Sequence, residues 1–134
     1  MQLSVSAIIT SASNCRFTTG SASMGFGNLD PANPVDVPKT SAFTFRCDGG
    51  DHQVVFAVTQ NGGLHPAGPG TNRMQHTSTA DEFLPYSLAL SSPPVPIPRN
   101  TGQTLTVSGT VRGVDYQSAR VGTYSDTVTI TINP

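Results

Sequence analysis

Apolar and polar residues alternate with period two along much of this chain, the spacing that turns one face of a strand inward and the other to solvent. Residues 3–10 set Leu3, Val5, Ala7 and Ile9 against Ser4, Ser6 and Ile8. No second strand follows within hairpin distance, which leaves open where this strand goes and what it pairs with. Residues 14–19 (NCRFTT) spell a second, short strand. Residues 40–47 (TSAFTFRC) alternate cleanly, with Phe43, Phe45 and Cys47 in phase. Residues 53–60 (QVVFAVTQ) are more continuously apolar, as suits a central strand.

Further on, residues 83–90 (FLPYSLAL) put Leu84, Tyr86, Leu88 and Leu90 on one face. Pro85 then points outward, which favours an edge or a strand start. Residues 103–113 align Leu105, Val107 and Val111, and residues 122–134 align Tyr124, Val128, Ile130 and Ile132. Between these lie segments rich in Gly, Asn and Pro: 21–40, 61–82, and 91–102 with its four prolines. They read as loops, with Val35 and Val37 in a short edge strand. Seven or eight short strands, no helix of note and long connections predict an all-β, Greek-key sandwich of immunoglobulin-like type.

Composition agrees with that reading. Among 134 residues, 11% are charged and 7% aromatic, none is Trp, and Gly and Pro number 13 and 11. The length suits one domain. A net charge of −1, from scattered single charges, leaves no basic stripe for nucleic acid and no polybasic segment for an anionic membrane surface. The first ten residues lack the basic start and unbroken apolar run of a secretory signal, so the reading is of a chain whose signal is already gone. Cys15 and Cys47 are the two cysteines, both in phase with inward aromatics. They read as one disulfide made in an oxidising compartment, with two free core thiols as the alternative.

Candidate chemistry is sparse. His52, His65 and His76 sit in separate loop-like stretches and read as solvated, not as metal ligands, and no cofactor is expected. No G-x-S-x-G elbow is present, and GFGNLD lacks the Lys and helix of a phosphate loop. Asp30, Asp36, Asp48 and Asp51 do not follow a calcium-loop pattern. Asp81 and Glu82 are adjacent and would point apart on a strand. The expectation is a protein that is not an enzyme.

One feature is unbalanced. An immunoglobulin-like sandwich normally ends with a strand that completes its second sheet, whereas here the chain stops after the strand through Ile132 and carries a surplus strand before Cys15. Other residues add to this: Cys15, the turn Phe26-Gly27-Asn28-Leu29-Asp30-Pro31, the strand ending at Cys47, Leu84-x-Tyr86-x-Leu88, and the closing Gly122-Thr123-Tyr124-Ser125-Asp126-Thr127-Val128. With these, in this order, the chain resembles the spore coat protein U family, which includes subunits of archaic chaperone–usher pili. PPVPIP stands where the family has a Gly-rich connection.

The resemblance implies a disulfide-bonded pilin, secreted through the periplasm, with an incomplete sandwich completed by a strand from a neighbouring subunit. Residues 1–12 would be the donor strand and 13–134 the sandwich domain. Leu3, Val5, Ala7 and Ile9 would enter a neighbour's acceptor groove lined by Leu105, Val107, Val128, Ile130 and Ile132. Partners would be identical subunits head to tail, a periplasmic chaperone and an outer-membrane usher, and the product an adhesive or biofilm fibre at the cell surface. Ile8 and Ile9 are adjacent, so a slip of one residue would bury Ile8 instead. Two alternatives stand beside this reading. Residues 3–10 could fold back as the domain's own first strand, and the chain could be a secreted, monomeric binding module for a carbohydrate or surface.

Overall fold

In a computed structural model, which describes residues 1–11, 15–18, 21–49, 55–68, 71–93 and 95–133, the chain is a curled, nearly all-β sandwich. Its nine strands are β1 (Gln2–Ser11), β2 (Cys15–Phe17), β3 (Ser21–Asn28), β4 (Val37–Cys47), β5 (Ala57–Gln60), β6 (Asn72–His76), β7 (Phe83–Ser91), β8 (Gln103–Val111) and β9 (Thr123–Asn133). A single helical turn, α1 (Gly113–Tyr116), joins the last two. The strand order is β2-β4-β8-β7-β6-β9-β1-β3, with β5 paired to the far end of β9.

The two layers share β7. Its first half, through Tyr86, pairs with β6, and its second half, from Ser87, pairs with β8. This one strand therefore turns the corner between the layers, as strands that switch sheets do in sandwiches. The interior is filled from both sides. Phe43 and Phe45 come from β4 and Leu105, Val107 and Val111 from β8; facing them are Tyr124, Val128, Ile130 and Ile132 of β9, with Leu3 and Val5 of β1. Cys15 and Cys47 are directly opposite each other in the β2–β4 ladder and form a disulfide.

The structure differs from the sequence reading in several places. Val35 is outside any strand and Val37 opens β4, which lies between β2 and β8 and is not an edge strand. Residues 21–28, expected as loop, form β3, whose Met24 and Phe26 face the core. Residues 72–76, within the expected loop 61–82, form β6 with Asn72, Met74 and His76 inward. The central strand expected at 53–60 is only β5: Phe56 is buried, Val55 is exposed, and the strand flanks β9 without a second partner among the described residues. Its residues 53 and 54 lie outside the described residues. Finally, His76 is not solvated but buried. The β-propensity of glycine and asparagine is low, so both missed strands are held by tertiary pairing over local preference.

Candidate functional site: the groove that holds the first strand

The answer to where residues 3–10 go lies between two strands from opposite parts of the chain. β1 runs parallel to β9, from Gln2 opposite Thr123 to Ser11 opposite Ile132. Its other edge pairs antiparallel with β3, from Gln2 opposite Asn28 to Ile8 opposite Ser21, with a register shift between Leu3 and Ser4. The start is fastened by backbone bonds: Leu29 N–H donates to the Met1 carbonyl at 2.9 Å, the Met1 ammonium to the Leu29 carbonyl at 3.2 Å, and Gln2 N–H to the Gly122 carbonyl at 3.2 Å. β1 thus fills a slot in its own molecule, the fold-back arrangement. In this single copy it completes the sheet that the sequence reading left open.

Leu3 and Val5 are buried, Ala7 is half-buried, and Ile8 is 46% exposed. Ile9 is opposite Ile130 in the ladder; its side chain lies outside the description. The five residues expected to line the groove are all buried. Val128, Ile130 and Ile132 sit on β9, beside β1, while Leu105 and Val107 face it from β8 in the other layer. Val5, Ala7, Val107, Val128 and Ile130 border one small notch, which Ser23 and Ser41 also line.

β3 has no ladder partner other than β1 among the described residues. Removing β1 would therefore expose the hydrogen-bonding edge of β9 and leave β3, which carries Met24 and Phe26, without a ladder partner among the described residues. Burial of Leu3 and Val5 contributes roughly 1.5–3 kcal/mol each in transfer free energy. The backbone bonds on both edges of β1 add about 0.5–1.5 kcal/mol apiece.

The closing motif Gly122-x-Tyr124-x-Asp126 fixes β9, and with it one wall of the slot. Gly122 has φ 149°, and a Cβ there would stand 2.1 Å from His76 Nε2, so only glycine fits. His76 Nδ1 accepts the N–H groups of Ser78 and Thr79, both at 3.0 Å. That leaves the ring proton on Nε2, which donates to the Val121 carbonyl at 3.1 Å. Tyr124 packs against the imidazole edge-to-face, ring centroids 5.1 Å apart, and its hydroxyl donates to the Arg120 carbonyl at 2.7 Å.

Asp126 is 3% exposed. Its carboxylate accepts from the Tyr86 hydroxyl and from the backbone N–H groups of Leu64 and Thr127, each at 2.9 Å. Asn72, also fully buried, exchanges side-chain bonds with Gln60 at 2.9 and 3.2 Å and reaches the Tyr86 hydroxyl at 3.5 Å. Burial first, and the Asp126 carboxylate second, push the Tyr86 hydroxyl well above the usual tyrosine range. Gly63 closes the cluster: at φ 84°, a Cβ would fall 2.1 Å from the Asp126 carboxylate. In the sequence Gly122, Tyr124 and Asp126 form a signature with no role attached. Their partners, His76, Gly63 and Tyr86, are remote in sequence, so no local signal joins them.

No group of three or more His, Cys, Asp or Glu among the described residues is arranged to hold a metal ion, and His52 lies outside them. No helix among them is long and apolar enough to cross a membrane. What the arrangement offers is a slot for an extended strand, with an apolar floor and two hydrogen-bonding edges.

The model of the Spore Coat Protein U domain matches residues 1–131, and the chain belongs to that family. Its known context is the chaperone–usher subunit, which makes this a protein of a pilin-like, fimbrial subunit family. No individually curated protein matches the chain.

Proposed function

We propose that this chain is a structural, non-enzymatic subunit that polymerises into a cell-surface fibre by giving its first strand to the slot of the next copy. The observation that carries the reading is the position of β1: the first element in sequence, inserted between β3 and β9 and serving as the sole ladder partner of β3 among the described residues. Leu3, Val5, Ala7 and Ile9 are the donor residues, and Leu105, Val107, Val128, Ile130 and Ile132 the acceptor floor. The strand withdrawn from its own molecule and inserted into a neighbour makes the same kind of contacts there. Such head-to-tail joining does not close on itself and gives a filament. A periplasmic chaperone would hold the emptied slot and an outer-membrane usher would catalyse the handover, as the family context supports. Adhesion and biofilm formation are the roles that such a fibre would serve.

The fold-back position of β1 favours a second reading, a secreted monomer acting as a binding module. Size-exclusion chromatography and unboiled gel electrophoresis of concentrated protein separate the two. Strand exchange predicts a ladder of heat-sensitive oligomers that disappears when residues 1–11 are deleted. A monomer that stays monomeric after cycles of partial unfolding, or oligomers that survive the deletion, would overturn the assignment.

A further inference from the structure

The fold gathers charges that the sequence scatters. Arg16 of β2 stands directly opposite Arg46 of β4, one rung from the Cys15–Cys47 disulfide. Like charges at opposed positions repel and weaken a sheet. Here the disulfide beside them and a shared carboxylate hold the pair. Arg16 Nη2 donates to one oxygen of Asp48 at 2.9 Å, and Arg46 Nε donates to the other. Arg99, from the 92–102 connection, donates through Nη1 to the Asp48 carbonyl at 3.0 Å. Arg46 first, and then Arg16, hold the Asp48 carboxyl below its ordinary range, so it stays ionised. Three of the chain's seven basic residues thus meet around one carboxylate, which leaves two positive charges unmatched among the described residues.

The arginines also keep donors in reserve. Each uses one nitrogen on Asp48, and its other N–H groups have no protein acceptor among the described residues. The side chains of Arg16 and Arg46 are 77% and 53% exposed. Together with Phe17 and Thr18 they border a shallow groove of about 400 Å³, open to solvent. The Phe17 ring is steadied by Phe43 and Phe45, with centroids 6.4 and 5.7 Å away. The Thr18 hydroxyl donates to the Thr44 carbonyl at 3.2 Å, which leaves its oxygen as an acceptor.

We infer that this groove binds a phosphate monoester carried on a sugar. The site lies apart from the β1 slot and stands whether or not strands are exchanged. A phosphate monoester carries about −1.5 to −2 at neutral pH, which matches the two surplus charges, whereas one carboxylate matches only half of them. Its oxygens can accept from both guanidinium groups in charge-assisted bonds. Phe17 offers an apolar wall to the C–H face of the sugar, and Thr18 an acceptor to one of its hydroxyls. The groove has the volume of a small-ligand site, about 300 Å³ or more.

The test titrates the intact, oxidised chain by calorimetry with glucose 6-phosphate, glucuronate and glucose. Glucose 6-phosphate should bind about tenfold more tightly than glucuronate, the difference of one charge-assisted contact, and glucose should not bind. R16Q and R46Q should each weaken glucose 6-phosphate about tenfold. K39Q removes the same charge elsewhere on β4 and should leave binding within about twofold, which separates a site from general attraction. Circular dichroism matching the parent shows that the exposed arginines were replaced without unfolding. Absence of glucose 6-phosphate binding, or equal losses in K39Q and R46Q, overturns the inference. Equal affinity for glucuronate overturns the choice of phosphate. Capture by phosphatidate vesicles without binding of glucose 6-phosphate overturns the choice of a sugar.

Discussion

Replacing Asp126 with alanine tests whether the buried polar cluster holds β9 in place. The substitution takes away the acceptor for the Tyr86 hydroxyl and for the Leu64 amide. Each stranded donor costs about 1–3 kcal/mol. Relief from burying a carboxylate offsets part of this, so D126A should lose about 3 kcal/mol of stability. For a chain of this length that is a fall of about 10 °C in melting temperature. D126N keeps one oxygen toward the backbone amides and lets the Tyr86 hydroxyl rotate to accept, so it should lose about 1 kcal/mol, the gap between a charged and a neutral hydrogen bond. The assay is urea unfolding of the oxidised protein, with Y86F and the double variant completing a cycle. The coupling between Tyr86 and Asp126 should be about 1–3 kcal/mol. Limited proteolysis gives a second readout: the segment around Leu64 is pinned by Asp126, so D126A should be cut there first. A D126A protein within about 0.5 kcal/mol of the parent, or a cycle with no coupling, would refute this account of the cluster.

Three further outcomes follow from the same geometry. The Tyr86 hydroxyl is held above its ordinary value of 10.0, so the stability it contributes is complete below that pH and is lost as pH rises beyond it; melting of the parent should fall above about pH 10 more steeply than melting of Y86F, and parallel curves would count against the assignment. Reduction of Cys15–Cys47, which are 32 residues apart, should remove about 3.5–4 kcal/mol, read as a lower denaturant midpoint in dithiothreitol; an unchanged midpoint would mean that β2 needs no tether. V5D would place a carboxylate at a buried position directly opposite Asp126, so it should destabilise the monomer and prevent oligomers; a normal oligomer ladder would show that Val5 does not face inward in the assembled form.

Much of this fold was legible in the sequence because five long strands carry the period-two pattern on ordinary aliphatic and aromatic residues, as in Phe43 and Phe45 or Val128, Ile130 and Ile132. β3 had the same phase in Ala22, Met24 and Phe26, but Gly25 and Gly27 between them read as turn. β6 had no hydropathic signal, because two of its three inward residues, Asn72 and His76, are polar. They can be buried because Gln60 and Tyr86 partner Asn72, and Ser78, Thr79 and Val121 partner His76. Such satisfaction depends on residues brought together by the fold, which no window of sequence contains. The slot was legible in the same uneven way. Its aliphatic residues stood out by alternation, whereas the glycines and the carboxylate that fix its wall take their meaning from distant neighbours.

The dependence of β3 on β1 has a kinetic consequence. Drawing out the first ribbon takes from the third its ladder partner among the described residues, so departure disturbs two ribbons and the packing of Phe26 and Met24 together. A joint of this kind would come apart far more slowly than ten residues of ordinary hydrogen bonding suggest. A thread made of such joints would persist because its links lack an easy exit, long after the supply of fresh links had ended.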